Sequence, residues 1–304
     1  MRETTTTRGR ELGTELRRIR EVAGYNGHEL AIRLGWSDSR ISRLETGHTT
    51  VSEVDVTTYL VFCGILGDEL NDLVNLASEV ETGYRLQSHG EKLPEELRTL
   101  VIEEASAVLI QQFESTYVPG LAQTEDYARA LFRESGLAGN RVERAVRTRM
   151  DRQSLLKRSE PPECELYVHE QALRLPVSGP RVMHEQVLHL LFLDGRRHCS
   201  VRVVPSSAAG YGQARNAFRI MHYAEHKPVI YVETQTASLF LEEKKDVDVY
   251  RTVLGMIGRV ALDEGHSREF LARLASEYDR VDEGDDGPAW SAEPDVHRLA
   301  QEQL

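Results

Sequence analysis

The sequence predicts an N-terminal all-α segment of five short helices followed by an α+β domain of helices and a mostly antiparallel sheet. Three observations carry this. Over the first eighty residues apolar positions recur at helical intervals, with Gly and Ser at the breaks. After Pro94, helical runs alternate with short strand-like runs. A chain of 304 residues, 40% of them hydrophobic, is long enough for two cores.

In the first segment, Leu12, Leu16, Ile19 and Ala23 mark one face of a helix over 11–23, and Gly24 ends it. A second helix spans Gly27–Leu34, with Leu30, Ala31 and Leu34 inward. Gly35 supplies a backbone conformation that a side chain would resist. Ser37 caps a third helix to about 46, closed by Gly47, with Ile41 and Leu44 inward. Ser52 caps a fourth through 63, carried by Val56, Tyr59, Leu60 and Cys63, and Asp68 caps a fifth to about 83. Residues 1–10 read as a flexible arm, 11–83 as the helical domain and the polar 84–94 as a linker.

The second domain spans 95–281. Helices are expected at about 95–112, 124–135 and 140–158, the second capped by Thr124. Strands follow at "CELYVH", "SVRVVP", "NAFRIMHY", "PVIYVET" and "ASLFLE", with a helix, "GPRVMHEQVLHLLFLDG", inserted after the first. Helices at about 245–262 and 267–279 complete an arrangement of helices on one side of a sheet. From 282 the chain is acidic, with Gly and Pro, and reads as a disordered tail to 304.

The formal net charge of −12 is unevenly spread. Residues 1–50 hold nine Arg against seven acids, whereas 277–304 hold nine acids against Arg280 and Arg298. Affinity for a polyanion depends on the charge facing the phosphates, so the balance argues against strong non-specific nucleic-acid binding and does not exclude a specific site. Cys63, Cys164 and Cys199 are far apart and show neither a disulfide framework nor zinc spacing, so free thiols in a reducing cytoplasm are expected. No apolar run is long enough to cross a bilayer, and "MRETTTTRGR" lacks a signal peptide's apolar stretch. A cytoplasmic protein without a membrane partner is expected.

The sharpest motif is "GWSDSRISRLETG", 35–47. Two helices that cross closely need a small residue in the first, here Ala31, and a turn residue four positions on, here Gly35. Ile41 and Leu44 anchor the second helix and leave Asp38, Ser39, Arg40, Ser42 and Arg43 outward. A helix that enters the major groove puts such N-terminal side chains on base edges. Arg binds guanine by two bonds, Ser bonds either way and Asp accepts from cytosine. The bland alternative is a small helical domain with a solvated polar face.

Residues 11–66, with "LRRIREVAGYNGHELAIRLGWSDSRISRLETG", resemble the Xre/Cro-type helix–turn–helix domain of phage and bacterial repressors. The resemblance implies five helices, a homodimer on two-fold double-stranded DNA, and a structural Arg–Glu ion pair, here Arg20 and Glu45. Where the family often has Gln, this chain has Gly27, which leaves its backbone N–H at a helix start to meet phosphate. Thr49, Thr50 and the arm residues Arg8 and Arg10 are the other expected phosphate contacts. About 100–280, with "QQFESTYVPGLAQTEDYARALF" and "RMDRQSLLKRSEPPECELYVHEQALRLPVSGPRVMHEQVLHLL", resemble the domain behind Xre-type domains in actinobacterial regulators, and WhiJ-like proteins are similar. That resemblance implies transcription control with a small partner protein encoded nearby, or a small ligand, sensed by the C-terminal domain. The competing expectation is an antitoxin-like module that binds such a neighbour and regulates only its own operon.

No catalytic constellation, metal site or cofactor motif emerges, so no enzyme is expected. His184 and His189 in "HEQVLH" are five apart, about 140° around a helix, where a zinc pair needs four. "AAGYGQAR" lacks a P-loop Lys and reads as a loop between strands, with a gate over a ligand pocket as its sharper reading. His169, Glu170 and Cys164 lie near one strand without a readable nucleophile and base. The acidic tail reads as solvated; the sharper alternative has Trp290 and "VHRLAQEQL" dock it on the basic face of the first domain.

Overall fold

The computed structural model describes residues 5–48, 52–78, 84–89, 98–208 and 216–283. Its first part is five helices: α1 (Thr7–Val22), α2 (Gly27–Leu34), α3 (Asp38–Glu45), α4 (Glu53–Phe62) and α5 (Asp68–Ser78). Their inward faces meet in one core of Leu12, Leu16, Ile19, Leu30, Ile41 and Tyr59 with their neighbours. Each fully buried side chain of this size is worth about 1.5–3 kcal/mol. The helix starts follow the local chemistry. Thr6 accepts from the Gly9 N–H at 3.1 Å, Ser37 from that of Arg40 at 3.2 Å, and Ser52 from that of Asp55 at 3.1 Å.

Residues 5–10 are not a free arm. Thr6 opens α1 earlier than the apolar periodicity marks, and Thr5, Thr7 and Arg10 are buried. The expected linker also departs from its reading. Tyr84–Ser88 form β1, which pairs antiparallel with β7 (Ala237–Leu241).

The second part follows in the order α6 (Arg98–Ser106), β2 (Leu109–Glu114), α7 (Glu125–Glu134), α8 (Asn140–Gln153), β3 (Glu163–His169), α9 (Glu170–Arg174), α10 (Pro180–Asp194), β4 (Cys199–Val204), β5 (Phe218–His222), β6 (Val229–Glu233), β7, α11 (Lys244–Val260) and α12 (Glu264–Glu283). The single helix expected over 95–112 is therefore a helix and a strand. The seven strands form one sheet, ordered β1-β7-β6-β5-β2-β3-β4. β2–β3 and β3–β4 are parallel and the other pairs antiparallel.

Strand alternation splits the sheet into two apolar faces. Ile110, Leu166, Val201 and Phe240 join the core that includes Met183, Leu190, Leu271 and Leu274 of α10 and α12. Phe113, Tyr167, Ile220 and Ile230 pack with Val247, Leu254 and Ile257 of α11. Helices thus cover both faces rather than one, because the second face is also apolar.

α1 joins the two parts. Arg10 forks onto the buried Glu103 of α6, with Nη2 2.9 and 3.0 Å from its two carboxylate oxygens. Tyr223 donates to the same carboxylate, and the Thr7 N–H donates to Glu242 at 2.7 Å. Arg85 of β1 meets Glu11 at 2.9 Å, and Arg98 meets Glu15. Burial pushes Glu103 above the usual carboxylate range, with Arg10 opposing.

Candidate nucleic-acid interface

α2 begins with a reciprocal cap. Asn26 accepts from the Glu29 N–H at 2.9 Å, and Glu29 accepts from the Asn26 N–H at 2.8 Å. Gly35 follows at φ +68°, the left-handed conformation that lets the chain reverse into α3. Leu30, Ala31, Ile41 and Leu44 are buried, which fixes α3 against α2 and turns its polar residues outward.

The far end of α3 is tied to α1. Arg20 donates from Nε to Glu45 Oε1 at 2.6 Å and from Nη2 to Oε2 at 2.8 Å, and from Nη1 to the Tyr25 carbonyl at 2.8 Å. Tyr59 donates to Glu45 Oε1 at 2.6 Å. Burial and that bond raise the Tyr59 hydroxyl's pKa, and the bond to Glu45 raises that of Arg20. Burial pushes the nearby Cys63 thiol up to about 11.

Backbone contact makes the junction tight. A Cβ on Gly13 would lie 2.6 Å from the Glu45 carbonyl oxygen, and one on Gly47 would lie 2.5 Å from the carbonyl carbon of Gly9. Sequence reasoning missed Gly9 and Gly13. Their spacing of four on one helix face is the signal that marked the contact.

On the outward face, Ser39, Ser42 and Arg43 are exposed. Asp38 is exposed too, with its two oxygens each 3.0 Å from His28 Nδ1 on α2. Arg40 Nη2 donates to Asp55 of α4 at 2.8 Å, and its guanidinium lies 4.2 Å from the Trp36 ring centre. Arg40 therefore sits at the edge of the face, held from two sides, while Arg43 is exposed. Gly27 is the first residue of α2, half-buried, with its N–H at the helix start. Arg8 lies on the first turn of α1 and is half-buried. Arg10 is not offered to phosphate, because its guanidinium is committed to Glu103. Thr49 and Thr50 lie outside the described residues, as does the chain beyond 283.

The side chains that invited other chemistry have structural partners. His184 Nδ1 is 2.9 Å from the Ala275 carbonyl, and His189 stacks near Phe192, 6.4 Å between ring centres. His169 caps α9 and Glu170 pairs with Arg174 at 2.7 Å. Among the described residues no three His, Cys, Asp or Glu side chains are grouped as a metal site. None of their helices is long and apolar enough to cross a membrane. Cys164 and Cys199, far apart in sequence, stand directly opposite on β3 and β4.

The family described as Domain of unknown function (DUF5753) matches residues 97–273, more than half of the chain. The chain belongs to the DUF5753 family. A second match, described as a Helix-turn-helix domain, covers 11–73, the segment of α1 to α5. The DUF5753 protein thus carries a domain that implies DNA binding, ahead of one whose function its family description leaves open. No curated protein matches the chain.

Proposed function

We propose that this DUF5753 protein is a sequence-specific, Xre-type transcription regulator that acts in the cytoplasm on double-stranded operator DNA. The observation that carries the reading is α3 itself. Its inner face and Glu45 are locked in the domain, while Ser39, Ser42 and Arg43 stand exposed on one surface with Arg40 at their edge. In this reading α3 enters the major groove, and the Gly27 N–H and Arg8 meet the backbone. Two arginines per recognition helix neutralise little charge. A homodimer on a two-fold site, with contacts supplied by the DUF5753 domain, raises affinity without new chemistry. The same domain senses a small ligand or partner protein. No reaction forms part of this role.

Selection from a random duplex pool tests it. Enrichment of a two-fold motif with half-sites about ten base pairs apart is expected. Recovery of no motif, with binding that vanishes at moderate salt for every sequence, would sink the proposal.

One observation favours an antitoxin-like reading beside it. α10 leaves Leu188 and Phe192 exposed one turn apart, with the Arg196 guanidinium 5.0 Å from the Phe192 ring centre. Such a strip suits a protein partner, and the resemblance to WhiJ-like regulators implies a small one encoded nearby. Co-expression with the product of a neighbouring gene, followed by purification of the pair, separates the readings. A partner lost on Phe192→Ser supports this one, and no retained partner removes it.

A further inference from the structure

β3 and β4 are parallel neighbours, and their register sets Cys164 directly against Cys199. Residues paired in this way point to the same face of a sheet. Both thiols belong to the core shared with α10 and α12. Adjacent strands lie about 4.8 Å apart, inside the roughly 4.4–6.8 Å between Cα atoms that a disulfide spans. The next rungs on that face, Leu166 with Val201 and Val168 with Val203, are apolar. On this ladder the cysteine rung alone can become covalent.

The pair sits at an opening rather than deep in that core. A cavity of about 390 Å3 has both cysteines in its lining, with Asp194, Arg196 and His198 from the end of α10 and the turn after it. Glu163, Gly195 and Arg197 also line it and are exposed, so the cavity meets solvent there. The Cys164 N–H donates to the His198 carbonyl at 2.7 Å, and the Cys199 N–H to the Arg196 carbonyl at 3.1 Å. Backbone bonds thus hold both cysteines against the same turn, which fixes their facing positions.

The two sulfurs are not equivalent. Their mutual hydrogen bond pulls the Cys199 thiol down and pushes that of Cys164 up. Arg196 also favours the Cys199 thiolate, against burial and Asp194, and burial raises Cys164 further. Cys164 Sγ is also 3.8 Å from the Pro162 carbonyl oxygen, a second acceptor for its proton. Cys199 is therefore suited to attack and Cys164 to follow as a thiol. The third cysteine, Cys63, lies in the helical part, its thiol pushed by burial up to about 11.

We propose that Cys164 and Cys199 form a peroxide-sensitive thiol pair, closed to a disulfide by hydrogen peroxide and reopened by external thiols. The Cys199 thiolate attacks one peroxide oxygen, the O–O bond breaks, and Cys199 becomes a sulfenic acid. The departing hydroxide takes up a proton and leaves as water. Cys164 then attacks the sulfenic sulfur. The S–S bond forms, the S–O bond breaks, and the oxygen leaves as a second water with the Cys164 proton. Two thiols have lost two electrons to one peroxide. Two molecules of an external thiol, such as glutathione, return them and leave as their own disulfide. The pair is thus reduced at rest in a reducing compartment, where disulfides that do form are transient. The proposal goes beyond the regulator reading and rests on neither DNA nor partner binding.

Peptide mapping of the full chain tests it. The folded protein is treated with hydrogen peroxide, remaining thiols are blocked by alkylation, and the chain is then unfolded and cut with trypsin. The two cysteines fall in separate peptides, 159–174 and 198–202. The expected result is these two peptides linked, two hydrogens lighter than their sum, and parted again by dithiothreitol. Cys63 should remain alkylated, reacting at least about tenfold more slowly. Cys164→Ser should leave Cys199 as a sulfenic acid that dimedone traps, and Cys199→Ser should leave Cys164 unoxidised. The wild-type map needs no variant, so a misfolded variant cannot hide the result. Absence of the linked peptides in the peroxide-treated folded chain overturns the proposal. So does a bond from Cys63 to either cysteine, a bond between two chains, or a pair that closes only after unfolding in urea. Dimedone on Cys164 in place of Cys199 would overturn the order of attack.

Discussion

Arg43 and Arg40 occupy the same short helix and differ in what holds them. Arg40 already spends its guanidinium on Asp55 and the Trp36 ring, so its use on a base must first break a charge-assisted bond. Arg43 is exposed and, among the described residues, has no side-chain ion pair to break first. Arg43→Ala is therefore expected to lose about 1–3 kcal/mol at one base position and relax specificity there, measured by anisotropy on single-base operator variants. Equal weakening on every variant would make Arg43 a phosphate contact instead. Glu114 carries a second prediction. Its carboxyl is pushed up to about 7 in the folded chain from an ordinary 4.5. Below 4.5 it is protonated in folded and unfolded chains alike, and between 4.5 and about 7 only the folded chain keeps the proton. Its contribution thus lowers stability as pH rises through that window and is constant above it. Carboxylates held low by arginines, such as Glu104 and Glu15, act in the opposite sense, so the comparison must be with a variant. Glu114→Gln should gain on wild type by roughly 1–3 kcal/mol between the two ends of the window in urea unfolding. A constant difference across it would show that Glu114 ionises normally.

At the scale of elements, α3 is held by its two neighbours in different ways. α2 meets it through side chains, whereas α1 meets its C-terminal end through backbone at Gly9, Gly13 and Gly47. A methyl group at Gly13 has a carbonyl in its way rather than a movable side chain. Gly13→Ala is expected to cost about 1–3 kcal/mol and to displace α3. Operator affinity should therefore fall more than the melting temperature of the second domain. A variant with unchanged melting and affinity would show that the junction has slack. The helices of this part were readable because each joins a 3.6-residue apolar repeat to a polar cap, as at Ser37 and Ser52. β2 was not readable. Its apolar residues follow directly on α6 without Gly or Pro, and a short apolar run fits helix and strand equally. β1 was hidden because it is an edge strand with alternating polar residues, and only its pairing with β7, some 150 residues away, makes it a strand. The outward residues of α3 were legible from local pattern. The burial of Arg149 and Arg152 was not, because they lie in "RVERAVRTRMDRQ", where charged residues outnumber apolar ones, and the partner of Arg152, Glu104, which also takes Arg219 of β5, is some fifty residues away.

For the whole molecule, the question is how two parts with separate cores behave as one. Their charges do not explain it, since the negative excess that dominates the net −12 is concentrated in the last residues of the chain. The contact that matters is Arg10 on Glu103, with Tyr223 and Glu242 around it, because both partners are buried and α1 carries the backbone against which α3 ends. A buried ion pair is weak support for stability as a pair but costly to break from one side. Arg10→Met leaves Glu103 buried with Tyr223 as its remaining donor among the described residues, so a loss of about 3–5 kcal/mol is expected, less whatever the carboxyl recovers by taking up a proton. Pairing it with Glu103→Leu removes the stranded charge. The double variant should therefore regain most of that loss, and the coupling energy in urea unfolding should exceed about 1 kcal/mol. The single variant should also change the shape of unfolding. Wild type is expected to lose both cores in one transition, and Arg10→Met to melt the helical part first, because α1 then lacks its bidentate hold on α6. Two separate transitions already present in wild type, or single variants that each cost no more than an exposed pair, about 0.2–1 kcal/mol, would mean that the helical part turns independently of the sheet. Any signal from the sheet would then have to reach DNA through a route other than α1.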